Sequence, residues 1–301
     1  MSTAPLPATP ADDASTDLAA ARLATALRRH GRLLVAFSGG VDSALVLQAA
    51  VDALGPERVL AVTGVSPSLA RRELDEAKAL ATRIGAPHRL LATRELEDPR
   101  YAANPADRCY FCKSELYERL RELAAAEGWE AIADGTNADD TRDVRPGRRA
   151  AAERGVVSPL LEAGLGKDAV RALSRRLGLP TWDKPEMPCL SSRIPYGSVV
   201  DPQKLRQIEV AEECLRAAGV RGGRVRHHGD LARVELPPAD LGRLADRGFR
   251  ERIVEGIRHA GFRYVTLDLE GYRKGRLNEA LAAPVRFAAG QAPAPVRDSS
   301  R

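Results

Sequence analysis

Residues 33–43 read LLVAFSGGVDS. An apolar run stops at Ser-Gly-Gly-Val-Asp-Ser and passes without a spacer into an amphipathic stretch. Leu33 to Phe37 predicts a strand buried in a parallel sheet, and Ser43 to Leu54 predicts the helix that follows. Two glycines at such a junction let backbone N–H groups turn toward one point with no Cβ in the way. Together with a helix N-terminus those groups make an anion site that suits phosphates. Ser38 and Ser43 add hydroxyls, Gly39 and Gly40 add bare backbone, and Asp42 could hold Mg²⁺ beside the phosphates.

The lysine of a G-x-x-x-x-G-K-[ST] loop is missing. The segment instead resembles the PP-loop of the ATP pyrophosphatase superfamily, whose members cleave ATP between the α and β phosphates and adenylate a substrate. An ordinary Gly-rich strand–helix turn would account for two glycines alone, but not for six residues in this context.

A chain of 301 residues has room for two domains. No apolar stretch is long enough to span a bilayer, and the N-terminus lacks the apolar region of a signal peptide, so a cytoplasmic protein is expected. Four cysteines in that compartment suggest thiols or metal ligands rather than disulfides. A net charge of +5 suits anionic substrates without implying nucleic acid, and 4% aromatic residues are too few for base-stacking platforms.

Residues 1–16 are, apart from Met1 and Leu6, Ala, Pro, Ser, Thr and Asp, a composition expected to remain a disordered tail, as is 283–301. Between them, Val59 to Gly64, His88 to Leu91 and Ala131 to Ala133 predict further strands. Apolar spacing predicts a helix over 68–84. Alternation of strand and helix over 17–200 predicts an α/β domain, a parallel sheet with helices on both faces. Ligands of such sheets sit at the carboxyl ends of the strands. A different texture starts at Asp201. Leu205, Ile208, Ala211 and Leu215 mark a helix, and Gly229-Asp230 joins 224–228 to 231–236 as a hairpin. A helix over 240–259 and a strand over 262–269 complete a small α+β domain spanning 201–282, suited to substrate binding or oligomerisation.

Several further segments carry candidate chemistry. Thr63, Gly64 and Val65 end the second strand, and Ser66-Pro67-Ser68 offers an N-cap for the next helix. Asp134, Gly135, Thr136 and Asn137 form a polar turn after a strand, able to bind ribose, adenine or metal, or to be only a loop of Asx-turns. Cys109 and Cys112 are spaced to share a metal or to oxidise to each other. Cys189 lies in a proline-stiffened loop where a thiol is less often core filler. Lys184 and Arg193 are near enough in sequence to favour its thiolate. Cys214 sits by the apolar face of a helix and reads as a small buried hydrophobe. On a strand at 224–228, Arg224 and Arg226 share a face and suit a phosphate or carboxylates.

Taken together these segments resemble the ATP-dependent sacrificial sulfur transferase family LarE, over Leu33 to about Leu281. The resemblance rests on SGGVDS, VSPSLARRELDEA, NPADRCYFCK, DGTNADD, the long run from VSPLLEAGLGKDAV to KPEMPCLSSRIPYG, RVRHHGDLARVE and LDLEGYRKGRLNE. It implies synthesis of the nickel-pincer nucleotide cofactor used in lactate racemization. ATP and Mg²⁺ adenylate carboxylates of pyridinium-3,5-biscarboxylic acid mononucleotide, which become thiocarboxylates. In the one-cysteine form a thiolate, here Cys189, attacks the acyl adenylate and then surrenders its sulfur, leaving dehydroalanine. In the three-cysteine form a [4Fe-4S] cluster binds an exogenous sulfide, and Cys109, Cys112 and Cys189 fit that pattern. The resemblance assigns Ser38, Gly39, Gly40, Asp42 and Ser43 to pyrophosphate and Mg²⁺. It places Thr63, Gly64, Val65, Asp134, Gly135, Thr136 and Asn137 at the nucleotide. Arg193, Arg224 and Arg226 are the candidates for the substrate's phosphate and carboxylates. A homo-oligomer with no nucleic-acid and no membrane partner is expected. The nearest competing readings are a PP-loop tRNA thiolase and another AMP-forming PP-loop synthetase. A non-catalytic nucleotide-binding or iron–sulfur scaffold is the reading from a different class.

Overall fold

The computed structural model describes residues 10–142, 146–273 and 275–279. The chain runs α1 (Pro10–Leu27), β1 (Leu33–Ala36), α2 (Val41–Leu54), β2 (Val59–Val65), α3 (Arg71–Ile84), β3 (His88–Ala92), α4 (Arg108–Glu127), β4 (Ala131–Ala133), α5 (Pro146–Glu153) and α6 (Lys167–Arg176). It continues with α7 (Pro202–Ala217), β5 (Arg224–His228), β6 (Leu231–Glu235), α8 (Arg247–His259) and β7 (Tyr264–Leu267).

Successive side chains of β1 feed two different cores, as the period of two requires. Leu33 and Val35 pack with α1, α2, α3 and α6, whereas Leu34 joins Tyr117, Leu120 and Ala150 from α4 and α5 on the opposite face. The sheet is parallel with strand order β3-β2-β1-β4, so the central β1 is covered on both faces. Leu34 is fully buried, and its replacement by Ala should cost about 2–5 kcal/mol. The order puts the ends of β1, β2 and β4 side by side, and the turns that leave them form one rim.

The second sheet has the order β5-β6-β7, with β5 antiparallel and β7 parallel to β6. Val225, Ala232 and Val234 pack beneath α7 and α8 on Leu215, Phe249, Ile253 and Ile257. A fourth cluster joins the two halves. Leu190 and Ile194 from the cysteine-bearing loop meet Leu205 and Ile208 of α7, with Tyr101, Phe111 and Cys112 alongside.

Helix α1 begins at Pro10, inside the stretch expected to be a tail. A proline and two aspartates at its start, with seven alanines and three leucines along its length, favour helix, and Leu23 and Leu27 anchor the far end in the core. Residues 1–9 and the expected tail at 283–301 lie outside the described residues. Helix α3 starts three residues later than expected, because Ser66–Ser68 are engaged elsewhere. Helix α8 starts at Arg247, after two single turns, with Asp246 capping the Phe249 N–H at 2.6 Å.

Candidate active site

The phosphate loop is built by hydrogen bonds among its own residues. The Ser38 N–H donates to Ser43 Oγ at 3.2 Å, and the Ser43 hydroxyl donates to the Gly40 carbonyl at 3.2 Å. The single Ser43 proton being so committed, the Ser38 hydroxyl is the donor in the 3.1 Å contact between the two oxygens. Gly39 has φ +70°, and a Cβ there would lie 3.0 Å from the Ala77 Cβ on α3. Helix α2 starts at Val41 with Gly40 as N-cap and no side-chain cap. Its first-turn N–H groups therefore lack the usual side-chain acceptor, and the positive end of the helix dipole faces the rim. Gly135, in the turn after β4, lies against this end: a Cβ would stand 2.8 Å from Ser43 N. Only glycine leaves that approach clear.

Asp42 is engaged on both oxygens. Oδ2 meets the Lys167 ammonium at 2.6 Å and Oδ1 accepts from Asn137 Nδ2 at 3.1 Å. The Lys167 N–H donates to Asp139 Oδ2 at 2.7 Å, and Asn137 Oδ1 accepts the N–H of Asp139 at 2.9 Å. A carboxylate at a phosphate loop suits Mg²⁺ by its chemistry, and here Lys167 already neutralises it. Lys167 is the residue beside the phosphate loop that sequence reasoning passed over. Its signal was a lysine directly after Gly166, the N-cap of α6.

The other predicted nucleotide residues divide. Asp134 is buried and accepts four hydrogen bonds: from the Thr136 N–H and hydroxyl, from Ser158 Oγ and from the Tyr117 hydroxyl, at 2.8–3.1 Å. Asp134 and Thr136 shape the turn with their side chains instead of presenting them. The Thr63 hydroxyl is likewise internal, donating to the Phe37 carbonyl at 2.7 Å and so accepting from His88 Nε2 at 2.8 Å. Gly64 and Val65, with the backbone of Gly135 and Asn137, remain on the rim. The Tyr117 phenol and the Asp134 carboxylate raise the pKa of Lys113, which stays a cation between the rim and Cys112.

The thiols gather at the start of α4. Cys109 and Cys189 are exposed and Cys112 is half-buried. Although the residue is exposed overall, neighbouring atoms crowd the Cys109 thiol, and this partial desolvation, then the prospective charge of Cys189, pushes it up. Cys112 is pushed up by the same desolvation, then by the Glu95 carboxylate and Cys189. Cys189 therefore lies near both members of the Cys-x-x-Cys pair. Among the described residues no three His, Cys, Asp or Glu side chains stand close enough to hold a metal ion. The donor chemistry thus fits a thiolate-held cluster, while the spacing of the side chains is not that of a closed metal site. Cys214 lies apart in the contact between α7 and α8, with its sulfur 3.5 Å from the Arg252 carbonyl.

The Cys189 loop is pinned from below. Tyr101 OH, Ser68 Oγ and Ser191 Oγ form a buried triangle with sides of 2.9, 2.7 and 3.1 Å, and the Leu190 N–H donates to the Ser68 carbonyl at 2.9 Å. Ser68 is thus a strut under this loop, not the expected helix cap, and Ala70 is the N-cap of α3. Buried Asn104, at φ +56°, donates from Nδ2 to the carbonyls of Pro195 at 2.7 Å and Ser198 at 3.1 Å. Arg108 reaches Asn104 Oδ1 and the Ser191 carbonyl.

Three expected cations near this loop have other duties. Lys184 is paired with Glu73 and Glu76 at 2.8 and 2.9 Å, not with the thiol. Arg193 is 2% exposed and binds Glu212, the Pro188 and Cys189 carbonyls and Ser192 Oγ, so no donor edge is left for a ligand. Arg226 is paired with Glu235 at 2.7 Å and donates to the Ser192 carbonyl at 2.8 Å. Both arginines, expected as substrate ligands, are engaged within the fold: a buried guanidinium is tolerable only with its charge answered. Arg224 differs. It is 4% exposed, stacks on Tyr272, and among the described residues donates only to the Gly223 carbonyl and Met187 Sδ. Among the described residues no carboxylate lies within ion-pair distance of it. Burial, and then the neighbouring Arg193 cation, lower its pKa.

Comparison with known proteins places these features in company. The NAD synthase family model matches residues 23–121, the segment holding the phosphate loop and the Cys-x-x-Cys pair. An uncharacterized protein of Synechocystis sp. is 50% identical over 250 residues, covering 83% of this chain and 93% of the relative. The pyridinium-3,5-bisthiocarboxylic acid mononucleotide synthase of Lactiplantibacillus plantarum is 42% identical over 261 residues, covering 87% of this chain and 94% of that enzyme. A tRNA-specific 2-thiouridylase of Desulforamulus reducens is 27% identical over 194 residues, 52% of this chain and 53% of its own length.

Proposed function

Given that the chain belongs to the sacrificial sulfur transferase family LarE, an enzyme family built on a PP-loop domain, we propose that it converts the carboxylates of pyridinium-3,5-biscarboxylic acid mononucleotide to thiocarboxylates. The observation that carries this reading is that the loop bearing the exposed Cys189 also meets, through Met187 Sδ at 3.2 Å, Arg224, a buried cation with no carboxylate within ion-pair distance among the described residues.

ATP is read as lying with its phosphates on Ser38–Gly40 and the first turn of α2, where N–H groups and two hydroxyls converge. Asp42 would hold Mg²⁺, which supplies charge neutralisation to the departing pyrophosphate. A carboxylate is a poor electrophile until AMP becomes its leaving group. Arg224 fits the substrate's phosphate or second carboxylate by charge and planar geometry. Residues 17–200 would then perform adenylation, and 201–282 would grip the substrate and support a homo-oligomer through the exposed Tyr264 and Leu269 near β7.

For the sulfur, Cys189 Sγ attacks the acyl carbon, AMP leaves and a thioester forms. Loss of the Cys189 α-proton and cleavage of its Cβ–Sγ bond then release the thiocarboxylate and leave dehydroalanine. The second reading, a cluster held by Cys109, Cys112 and Cys189, is supported by the Cys109–Cys112 pair in the opening turn of α4, with Cys189 close enough to raise the pKa of both. Such a cluster would supply an open iron to carry exogenous sulfide.

The test is intact mass spectrometry after turnover with ATP, Mg²⁺ and the biscarboxylate nucleotide, on protein purified without oxygen and assayed for iron and sulfide. Loss of one H₂S from the peptide bearing Cys189 supports the sacrificial route. Unchanged mass, thiolated product and bound iron support the cluster. No thiolated nucleotide in either case, with thiolation of tRNA instead, would overturn the proposal.

A further inference from the structure

Asp42 is the acidic residue of the phosphate loop, yet neither of its oxygens is open. The Lys167 ammonium sits 2.6 Å from Oδ2, and Asn137 Nδ2 lies 3.1 Å from Oδ1. Both partners are themselves held. The Lys167 backbone is tied to Asp139 Oδ2 at 2.7 Å, and the Asn137 N–H donates to Asp140 Oδ2 at 3.1 Å. The lysine stem alone is free to swing, since its base is fixed at the start of α6 while its head is about a quarter exposed.

We propose that Lys167 and the divalent cation compete for Asp42. Lys167 is a resident counter-ion that closes this carboxylate to metal until the triphosphate arrives, and it then turns onto the phosphates. This rests on the reading that ATP and Mg²⁺ use the phosphate loop. A divalent ion must sit about 2.1 Å from a ligand oxygen. With an ammonium already at hydrogen-bond distance, the two positive charges would be ~4 Å apart or less, an arrangement that a low-dielectric rim penalises heavily. The triphosphate reverses the balance. It sets several negative charges at the uncapped start of α2, gives Lys167 a new acceptor, and brings the metal with it. Departure of pyrophosphate with its metal returns Lys167 to Asp42. Metal and nucleotide are thereby coupled, and the coupling must be reciprocal.

The experiment is Mn²⁺ titration followed by electron paramagnetic resonance, on wild type and Lys167→Met, with and without α,β-methylene-ATP. Without nucleotide, wild type should bind Mn²⁺ weakly and Lys167→Met roughly 10-fold more tightly, within the usual range of coupling between sites. Asp42→Asn added to Lys167→Met should abolish the gain. Lys167→Arg, which keeps the charge, should stay closed, and Lys167→Gln substitutes if the methionine variant fails to fold. Equal nucleotide-free affinity in wild type and the neutral variants overturns the inference. Failure of wild type to bind the analogue at all would overturn the ATP reading instead.

Discussion

Arg193 and Glu212 meet through two parallel N–H···O bonds, Nε to Oε1 at 2.8 Å and Nη2 to Oε2 at 3.0 Å, with both side chains nearly out of water. The pair fastens the Cys189 loop to α7, and Glu212 Oε1 also accepts the Val225 N–H at 3.2 Å. Glu212→Ala strands a buried guanidinium and should lower stability by about 3–5 kcal/mol in urea unfolding. A loss under 1 kcal/mol would mean the loop is held chiefly by its other contacts.

Arg224→Ala should weaken capture of the pyridinium nucleotide about 10- to 100-fold, as removal of a charge-assisted contact does, while ATP binding survives. Calorimetric titration of each ligand separately decides it. Equal loss of both would show that Arg224 is needed for the fold of the rim, not for the substrate.

Tyr101→Phe breaks the hydroxyl triangle that sets Ser191, two residues beyond Cys189, on Ser68. Stability should fall by about 0.5–1.5 kcal/mol. Pyrophosphate exchange into ATP should be kept while sulfur transfer slows, because the triangle lies under the thiol loop and not under the phosphate loop. Parallel loss of both half-reactions would refute this division.

Gly135→Ala places a methyl 2.8 Å from Ser43 N. Overpacking of this kind costs about 1–3 kcal/mol, and here it also blocks the start of α2. Affinity for ATP should drop roughly 10-fold or more in the same calorimetric assay. Unaltered affinity would mean the phosphates do not approach that N–H.

His88 and His227 both have lowered pKa values, chiefly from burial, then from Lys78 for His88 and Lys204 for His227. The unfolded chain takes up these protons below about pH 6.5 and the native protein resists. Stability should therefore be fully present above that pH and be lost as pH falls through the lower native values. Urea midpoints at pH 7.5 and 5.5 should differ in that direction, and His88→Asn should reduce the difference. The Thr63 hydroxyl being committed to Phe37, His88 carries its proton on Nε2, which nitrogen NMR shifts can read.

The strand and helix around the phosphate loop were legible because local rules decide them. Leu33 to Ala36 alternate between two cores, and Gly39 stands where α3 comes too close for a side chain. The hairpin at Gly229 and the helix bearing Leu205 to Leu215 followed from turn chemistry and spacing in the same way. What escaped depends on partners far away in the chain. Arg193 and Arg226 resemble ligands in a string of letters, and become struts only once Glu212 and Glu235 are folded against them. Lys167 acquires its role from Asp42, 125 residues upstream. The Cys-x-x-Cys spacing was plain, but its position on the opening turn of α4 was not, because that helix is amphipathic only in part.

The exposed sulfur of Cys189 stands on a loop whose next residues, Leu190, Ser191 and Arg193, are all buried and tied down. On the sacrificial route, chemistry at position 189 alters a single side chain and leaves every one of those anchors in place. The reacted molecule would keep its shape, its phosphate loop and its Arg224. It would persist as a folded look-alike that still holds substrate but has no sulfur to give, so the cell's capacity would be set by how quickly such molecules are cleared and replaced.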